Sequence, residues 1–384
     1  MNEEETPAFQ APIRYRAIGY VEEVISECGQ RQELWVQVNR ERRHAVNFLE
    51  LCPPVAVHNW VILNTTAVEL GLGSGGDDFV IEVIGKQLLP QTPPGHIMKL
   101  RYTPLQMPVL ATAAPESPYH EALLKFESLE DLPVVCAELH SQVAAVAAAA
   151  KWETGGSARI GYVMTDSSAL PLAVSRLIPD LRSSGLIDFV VTAGQAFGGD
   201  YEAVNLYSAL AISKVVGKAD IVIVAQGPGS VGTATDLDFS GAEQAIALNA
   251  TISLAGCPIA VVRASGSDPR ARHHFLSHHT LTVLGRLTLG SCFVAFPKLT
   301  DETSEMFRAM VETHPELERH GLIWIDAEVG LEALIRSGIS VTTMGRSIQE
   351  DRLFFLSAAA AGLLAGQIAT DHRVDLSFDP SHRE

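Results

Sequence analysis

Positive charge is scarce in this sequence of 384 residues. Lys and Arg together number 28 against 45 Asp and Glu, which gives a formal net charge of −17. A surface with this balance repels polyanions, so nucleic acid is not expected as a partner. Charged residues of both signs make up 19% of the chain and hydrophobic residues 47%. These proportions exclude a disordered, collagen-like or coiled-coil chain and predict a compact globular protein.

Cysteine is also rare, and no secretory signal pattern is seen. The cysteines form no CxxC pair and lie far apart, at Cys28, Cys52, Cys136, Cys257 and Cys292. Their odd number and wide spacing argue against a disulfide framework or a zinc knuckle and predict buried, reduced thiols. The first ten residues, MNEEETPAFQ, are acidic and lack the basic and apolar regions of a signal peptide. We therefore expect a cytoplasmic location.

Long hydrophobic runs are missing as well. The longest apolar stretches are residues 143–150 and 353–369, and glycine and polar residues interrupt the second. Neither reaches the roughly 18 to 20 strongly apolar residues of a membrane span. Both stretches are predicted to be packed helices, and a membrane is not an expected partner.

What the first hundred residues do contain is a series of short alternating runs. Each run has the length of a strand and is rich in Val and Ile; they cover residues 17–25, 33–38, 44–49, 61–64 and 79–84. Turn-forming residues separate them, which predicts a small β-barrel or twisted sheet. Seven prolines between residues 90 and 118 indicate a connecting segment. We expect a β-rich, barrel-like domain over residues 1–111 and a second domain over residues 112–384.

The second domain shows apolar runs without alternation, which is the pattern of strands buried on both faces. These candidate strands are residues 134–137, 159–164, 187–192, 220–225, 259–263 and 292–296. Helical patterns fall between consecutive strands and continue after the last one. The sequence therefore predicts a doubly wound, mostly parallel α/β domain.

The residues that follow these strands are the first place to look for a site, because ligands bind at the carboxyl edge of such sheets. Asp166 and Asp200 at strand ends are explained by helix capping and the glycines by turns, but Gln195, Gln226 and Arg263 are not. We predict that this edge binds a ligand. The predicted binding residues are Gln195, Gly199, Gln226, Gly227, Gly229, Ser230, Arg263, Asp268, Arg270 and Arg272.

The segment from Gly227 to Gly232 has the spacing GxGxxG after a predicted strand. A dinucleotide site is disfavoured because Pro228 removes a backbone donor and the next strand ends in Arg263, not in an acid that would bind a ribose. An anion-binding nest of backbone N–H groups fits better, with Ser230 adding a hydroxyl. A purely structural glycine-rich turn is the alternative.

Residues 263–286 form a basic segment in an acidic protein. They contain four Arg and four His against the single acid Asp268, for a local charge of +3 with neutral histidines. Arg side chains match phosphate or carboxylate, so the segment is predicted to face an anionic ligand. His274 and His278 would share a face if the segment is helical, which offers a divalent metal two ligands. A solvated basic helix or a dimer contact is the alternative, so a homo-oligomer stays open.

Six ordered motifs resemble a known family. They are residues 95–106, 163–171, 194–200, 226–229, 277–280 and 343–346, with sequences such as GQAFGGD, SHHT and TMGR. The resemblance is to the bacterial domain of unknown function 3866 and runs from about Ile13 to Gly362. It implies a bacterial cytoplasmic protein and carries no activity.

Two kinds of function fit these residues. The first is an enzyme, most simply a hydrolase or transferase, that acts on a small phosphorylated or carboxylated metabolite. In it Asp166 or Asp200 works with His278 in acid/base chemistry or holds a metal. The second is a non-enzymatic ligand sensor or protein-interaction module that uses the same strand ends.

Overall fold

The computed structural model describes residues 14–73, 75–86, 94–167, 170–300 and 303–370. The chain forms two compact units, Met1–Thr92 and Pro93–Glu384. This division lies before the predicted boundary near residue 112. The reason is the buried Lys99, whose ammonium donates to the carbonyls of Ala196 and Ala203 at 2.8 and 3.1 Å and pairs with Glu202 at 3.1 Å. Residues 94–111 thus belong to the second unit.

The first unit is a closed barrel, as predicted. Its strands are β1 (Arg16–Cys28), β2 (Arg31–Val38), β3 (Glu41–Phe48), β4 (Trp60–Asn64) and β5 (Asp78–Val83), with the short helix α1 (Thr66–Glu69) before β5. The order β1-β2-β3-β5-β4 closes through pairing of β4 with β1, and β3 pairs with β5 in parallel. Alternate residues such as Leu34, Val36 and Val61 fill the interior. The period of two in the sequence produces this inside-outside pattern.

The second unit contains the strands and helices that carry the site. Its strands are β6 (Ile97–Lys99), β7 (Met107–Val109), β8 (Pro133–Cys136), β9 (Ile160–Thr165), β10 (Phe189–Thr192), β11 (Tyr201–Glu202), β12 (Ile221–Gln226), β13 (Cys257–Val261), β14 (Ala264–Ser265), β15 (Phe275–Leu276), β16 (Phe293–Pro297) and β17 (Gly321–Ile325). Its helices are α2 (His120–Leu123), α3 (Val143–Glu153), α4 (Leu177–Ser183), α5 (Leu206–Val215), α6 (Glu243–Ser253), α7 (His278–Thr282), α8 (Thr303–Glu312), α9 (Glu328–Arg336) and α10 (Arg352–Thr370).

Eight strands in the described part of the chain form one sheet, in the order β11-β10-β9-β12-β8-β13-β16-β17. Every neighbouring pair is parallel. Strands β8, β9, β12 and β13 are buried along their whole length, because helices cover both faces of the sheet. This confirms the predicted α/β fold and brings the strand ends named above to one edge.

Helix α10 contains the whole of the second long apolar stretch, and α3 contains the first. Among the described helices, α10 alone is long and apolar enough to cross a membrane, yet 78% of its apolar window is buried inside the protein. It packs against α3 and α9 in the core. The prediction that both stretches are packed helices is confirmed.

All five cysteines are free thiols. Cys52, Cys136, Cys257 and Cys292 are buried, as predicted, and burial raises the pKa of Cys52 to about 11. Cys28 is exposed, which the sequence did not predict, because it ends β1 beside the turn to β2.

Helix α10 approaches α3 closely at Gly362. A Cβ atom there would lie 2.3 Å from the carbonyl oxygen of Val146 and 2.9 Å from Ala149 Cβ. We expect Gly362→Ala to lower the free energy of unfolding by about 1 to 3 kcal/mol, since the two helices must separate. Urea denaturation measures this. Gly266→Ala is the control because a Cβ there meets no atom within 4 Å. Equal stability of the two variants would contradict the packing argument.

Candidate functional site

Polar residues lie at or just after the carboxyl ends of three adjacent central strands. Strand β8 lies between β12 and β13, and the chain continues from these strands into Glu138, Gln226 and Arg263. The side-chain amide of Gln226 donates to the main-chain carbonyl of Glu138 at 2.7 Å. The carboxyl edge of the sheet is therefore built around Glu138, which sequence reasoning did not include among the binding residues.

Glu138 has a fully buried carboxylate. Its Oε1 accepts hydrogen bonds from Arg263 Nη1 and His279 Nδ1, both at 2.7 Å. Burial alone would raise the pKa of Glu138, but the charge of Arg263 and the bond from His279 bring it below its ordinary value. Arg263 was predicted to hold an anionic ligand. In the structure its guanidinium is buried and bound to Glu138 instead.

A cavity of about 650 Å³ opens beside this edge. It is lined by residues 139–141, 174–177, 227–230 and 340–344 together with Asp180. The predicted binding residues Gly227, Gly229 and Ser230 therefore lie on its wall. Gly229 has a φ of +98°, a conformation that glycine adopts without steric cost. The loop that follows β12 thus turns along the cavity.

His140 and Ser175 form a hydrogen-bonded pair in the wall of this cavity. His140 Nε2 lies 2.7 Å from Ser175 Oγ, and His140 Nδ1 lies 3.1 Å from the hydroxyl of Tyr162. The Tyr162 hydroxyl donates toward the main-chain carbonyls of Ala225 and Gln226, each at 3.3 Å. Its oxygen is then left to accept from His140 Nδ1–H. This assigns the proton of the imidazole to Nδ1, so Nε2 accepts from the Ser175 hydroxyl.

Burial also keeps this imidazole neutral. It lowers the pKa of His140 from 6.5 to about 4. Ser175 Oγ accepts a further hydrogen bond from the main-chain N–H of Ile178 in the first turn of α4, at 3.2 Å. A neutral imidazole that accepts a hydrogen bond from a serine hydroxyl is the arrangement of a general base and its nucleophile.

A second cluster contains three histidines, His273, His278 and His279. One ring nitrogen of each lies within 4.8 Å of the others. His274 and His278 were predicted to offer a metal two ligands if the segment is helical, and the structure does not meet that condition. Residues 271–282 form a 3₁₀ turn, strand β15 and then α7, which begins only at His278, so the two residues share no helical face. His274 is exposed and lies at a different cavity, beside Phe275.

The other predicted catalytic residues are dispersed. Asp166 accepts a hydrogen bond from the main-chain N–H of Gln195 at 2.8 Å and lines a separate cavity of about 230 Å³. Asp200 accepts from the main-chain N–H of Val190 at 2.8 Å and pairs with Arg182 at 3.0 Å. Both carboxylates therefore accept hydrogen bonds from main-chain N–H groups, and neither lies beside His278.

The remaining predicted binding residues form their own contacts. Asp268 is buried and pairs with Arg270 at 2.7 Å, while Arg272 is exposed. Gly199 donates its N–H to Thr192 Oγ1 at 3.1 Å. Gln195, Gly229, Arg263 and Asp268 were expected to line one cavity, and only Gly229 belongs to the wall of the 650 Å³ cavity.

Some residues of this site were not among the predicted site residues, and they differ in how clearly the sequence indicates them. Glu138 and His140 lie just after the first predicted strand, among the strand-end residues that the sequence offers, but they were not chosen as site residues. Ser175 lies ten residues beyond the end of β9 and belongs to no motif. It comes into contact with His140 only when the turn before α4 lies against the segment between β8 and α3.

Comparison with protein families identifies the family of this chain. No curated protein matches the chain. A family model described as Protein of unknown function (DUF3866) matches residues 44–362, which is most of the chain. This confirms the resemblance predicted from the six motifs. The chain therefore belongs to the family DUF3866.

Proposed function

We propose that this protein binds a small phosphorylated or carboxylated metabolite in the 650 Å³ cavity and hydrolyses or transfers an acyl group of that metabolite through Ser175. The observation that carries the proposal is the 2.7 Å hydrogen bond from Ser175 to the neutral His140 within that cavity. Ligand sites of open α/β sheets lie at this edge. A cavity of this volume is of the size that holds a small metabolite.

Anion recognition is assigned to the loop after β12 and to neighbouring polar residues. Gly227, Gly229 and Ser230 supply backbone N–H groups, and Ser230 and Thr342 supply hydroxyls. Arg176 adds a positive charge to the wall and Asp180 a negative one. Backbone N–H groups and guanidinium groups are the usual partners of phosphate and carboxylate.

The reaction would proceed in two steps. Ser175 Oγ forms a bond to the acyl carbon while its proton moves to His140 Nε2. The bond from that carbon to the leaving group then breaks, and His140 returns the proton to the leaving group. Water, or an acceptor hydroxyl or amine, attacks the acyl-Ser175 ester while His140 again takes the proton. The bond from the acyl carbon to Ser175 Oγ then breaks, and His140 returns the proton to Oγ, which regenerates the enzyme. Tyr162 holds the imidazole in the tautomer that both steps require.

Labelling with a fluorophosphonate probe tests this proposal. Ser175 Oγ should form a bond to phosphorus as fluoride leaves, and peptide mass spectrometry should locate the adduct on Ser175. Ser175→Ala should abolish the label, and His140→Gln should slow labelling of Ser175 strongly because no base takes the proton. Ser141→Ala is the matched control, since Ser141 lines the same cavity and follows His140 in the chain, but its side chain makes no hydrogen bond to His140 in the described structure.

Two outcomes would contradict the proposed acyl chemistry at Ser175. Labelling that is equal in wild type and Ser175→Ala would remove Ser175 as the nucleophile. Thermal stabilisation by phosphate or small carboxylates without any labelling would favour the ligand-sensing alternative, in which the cavity binds a metabolite without reacting with it. Circular dichroism of each variant should confirm the native fold.

We place the protein in the cytoplasm, and its unpaired thiols support this location.

A further inference from the structure

We propose that His273, His278 and His279 form a binding site for one Zn²⁺ ion. Nothing in the proposed function uses these three side chains, so the two proposals stand independently. Three imidazole ligands with a fourth position left for water form a common zinc coordination in proteins. Imidazole is also among the ligands that zinc prefers.

The geometry brings the three rings together from a short segment. The ring centroids are 5.0 Å apart for His273 and His278, 4.8 Å for His273 and His279, and 4.4 Å for His278 and His279. One nitrogen of each ring lies within 4.8 Å of the other two. Small side-chain rotations would bring these nitrogens to the spacing of a tetrahedral site.

Two of the rings are held by neighbours through Nδ1, which leaves Nε2 to bind a metal. His279 Nδ1 donates to Glu138 Oε1 at 2.7 Å, and His273 Nδ1 lies 2.7 Å from Ser277 Oγ. Metal-binding histidines usually make such a bond with the nitrogen that does not face the ion. The flat face of His279 also stacks on Phe239 at a centroid distance of 3.7 Å. The rings are therefore oriented before any ion binds.

His278 supplies the clearest sign that a partner is expected. Its Nε2 is buried and makes no hydrogen bond in the described structure. A buried polar atom without a partner lowers the stability of the folded chain. A metal ion at the centre of the three rings would satisfy this atom.

Zinc titration of chelator-treated protein tests the site. In competition with a chromogenic chelator, the wild-type chain should bind one Zn²⁺ per chain. His278→Ala should weaken binding by about 100-fold or more, since loss of even an outer-shell partner costs about 10- to 100-fold. His274→Ala is the matched control and should bind zinc as the wild type does, because His274 lies outside the cluster.

A spectroscopic readout keeps the test independent of variant stability. Co²⁺ added to the wild-type protein should give the visible absorption of a four-coordinate site, and His278→Gln should lose that absorption while its circular dichroism stays native. Ser175→Ala should bind zinc normally, so failure of the proposed function leaves this result unaffected. Absence of stoichiometric zinc binding by wild type, or equal affinity of wild type and His278→Ala, would overturn the proposal.

Discussion

Glu138→Gln is expected to lower the free energy of unfolding by about 3 to 5 kcal/mol. The carboxylate is fully buried and its Oε1 holds the buried guanidinium of Arg263 at 2.7 Å. Glutamine keeps the shape of the side chain but removes the negative charge, so Arg263 would stay buried without a counter-ion. The loss is large because an uncompensated charge in the interior costs more than the missing hydrogen bond. Urea denaturation at pH 7 measures it.

Two further variants complete this experiment. One changes an exposed ion pair, and the other removes both charges of the buried pair. Glu332→Gln removes a carboxylate that pairs with Arg336 at 3.3 Å while both side chains are more than half exposed. It should cost less than about 1 kcal/mol. Glu138→Leu combined with Arg263→Met removes both buried charges and should be less destabilising than the sum of the two single changes. If Glu138→Gln costs no more than Glu332→Gln, the pair is not what stabilises this edge of the sheet.

Acidification should destabilise the protein between pH 6.5 and pH 4, beginning before most carboxylates are protonated. The pKa of His140 is about 4 in the folded chain and 6.5 in the unfolded chain. In this window the unfolded chain binds a proton that the folded chain does not, so the free energy of unfolding rises with pH. His140 alone accounts for about 3 kcal/mol across the window. Burial lowers the pKa values of His273, His278 and His320 as well, which acts in the same direction.

Chemical denaturation at a series of pH values checks this prediction. His140→Gln should reduce the slope of the free energy of unfolding against pH, because glutamine has no proton to gain. Ser141→Ala leaves His140 in place and provides the control, so it should keep the wild-type slope. A wild-type free energy that stays constant from pH 7 to pH 5 would contradict the prediction that His140 is held neutral by burial.

The fold was largely predictable from the sequence because its signals are local. Residues 159–164 and 220–225 were predicted as strands, and the structure has β9 at Ile160–Thr165 and β12 at Ile221–Gln226. Unbroken apolar runs indicate strands covered on both faces, whatever the rest of the chain does. The alternating runs of the first unit likewise require one face to point inward. The boundary between the two units was harder to predict. Prolines indicate irregular backbone, but they do not show that Lys99 is buried in the second unit.

The site was only partly predictable, since it depends on pairs of residues that are distant in sequence. The glycine loop after β12 was predicted to bind a ligand, and the structure places it on the cavity wall. Arg263 follows a strand and was predicted to bind an anion, but its partner Glu138 lies 125 residues away. Composition cannot show that a charge is already neutralised. The histidine-rich segment was recognised as unusual from the sequence. That His273 and not His274 belongs to the cluster depends on the irregular backbone of this segment.

By itself, the sequence determined the class of each unit and the edge of the sheet where a site would lie, because apolar periodicity and strand ends are properties of short segments. Only the tertiary structure decided which side chains meet there. It placed Ser175 against His140, directed Glu138 to Arg263 and His279, and brought three histidines together. Hydrogen bonds and ion pairs act over about 3 Å, so these contacts exist only once distant strands and helices are packed side by side.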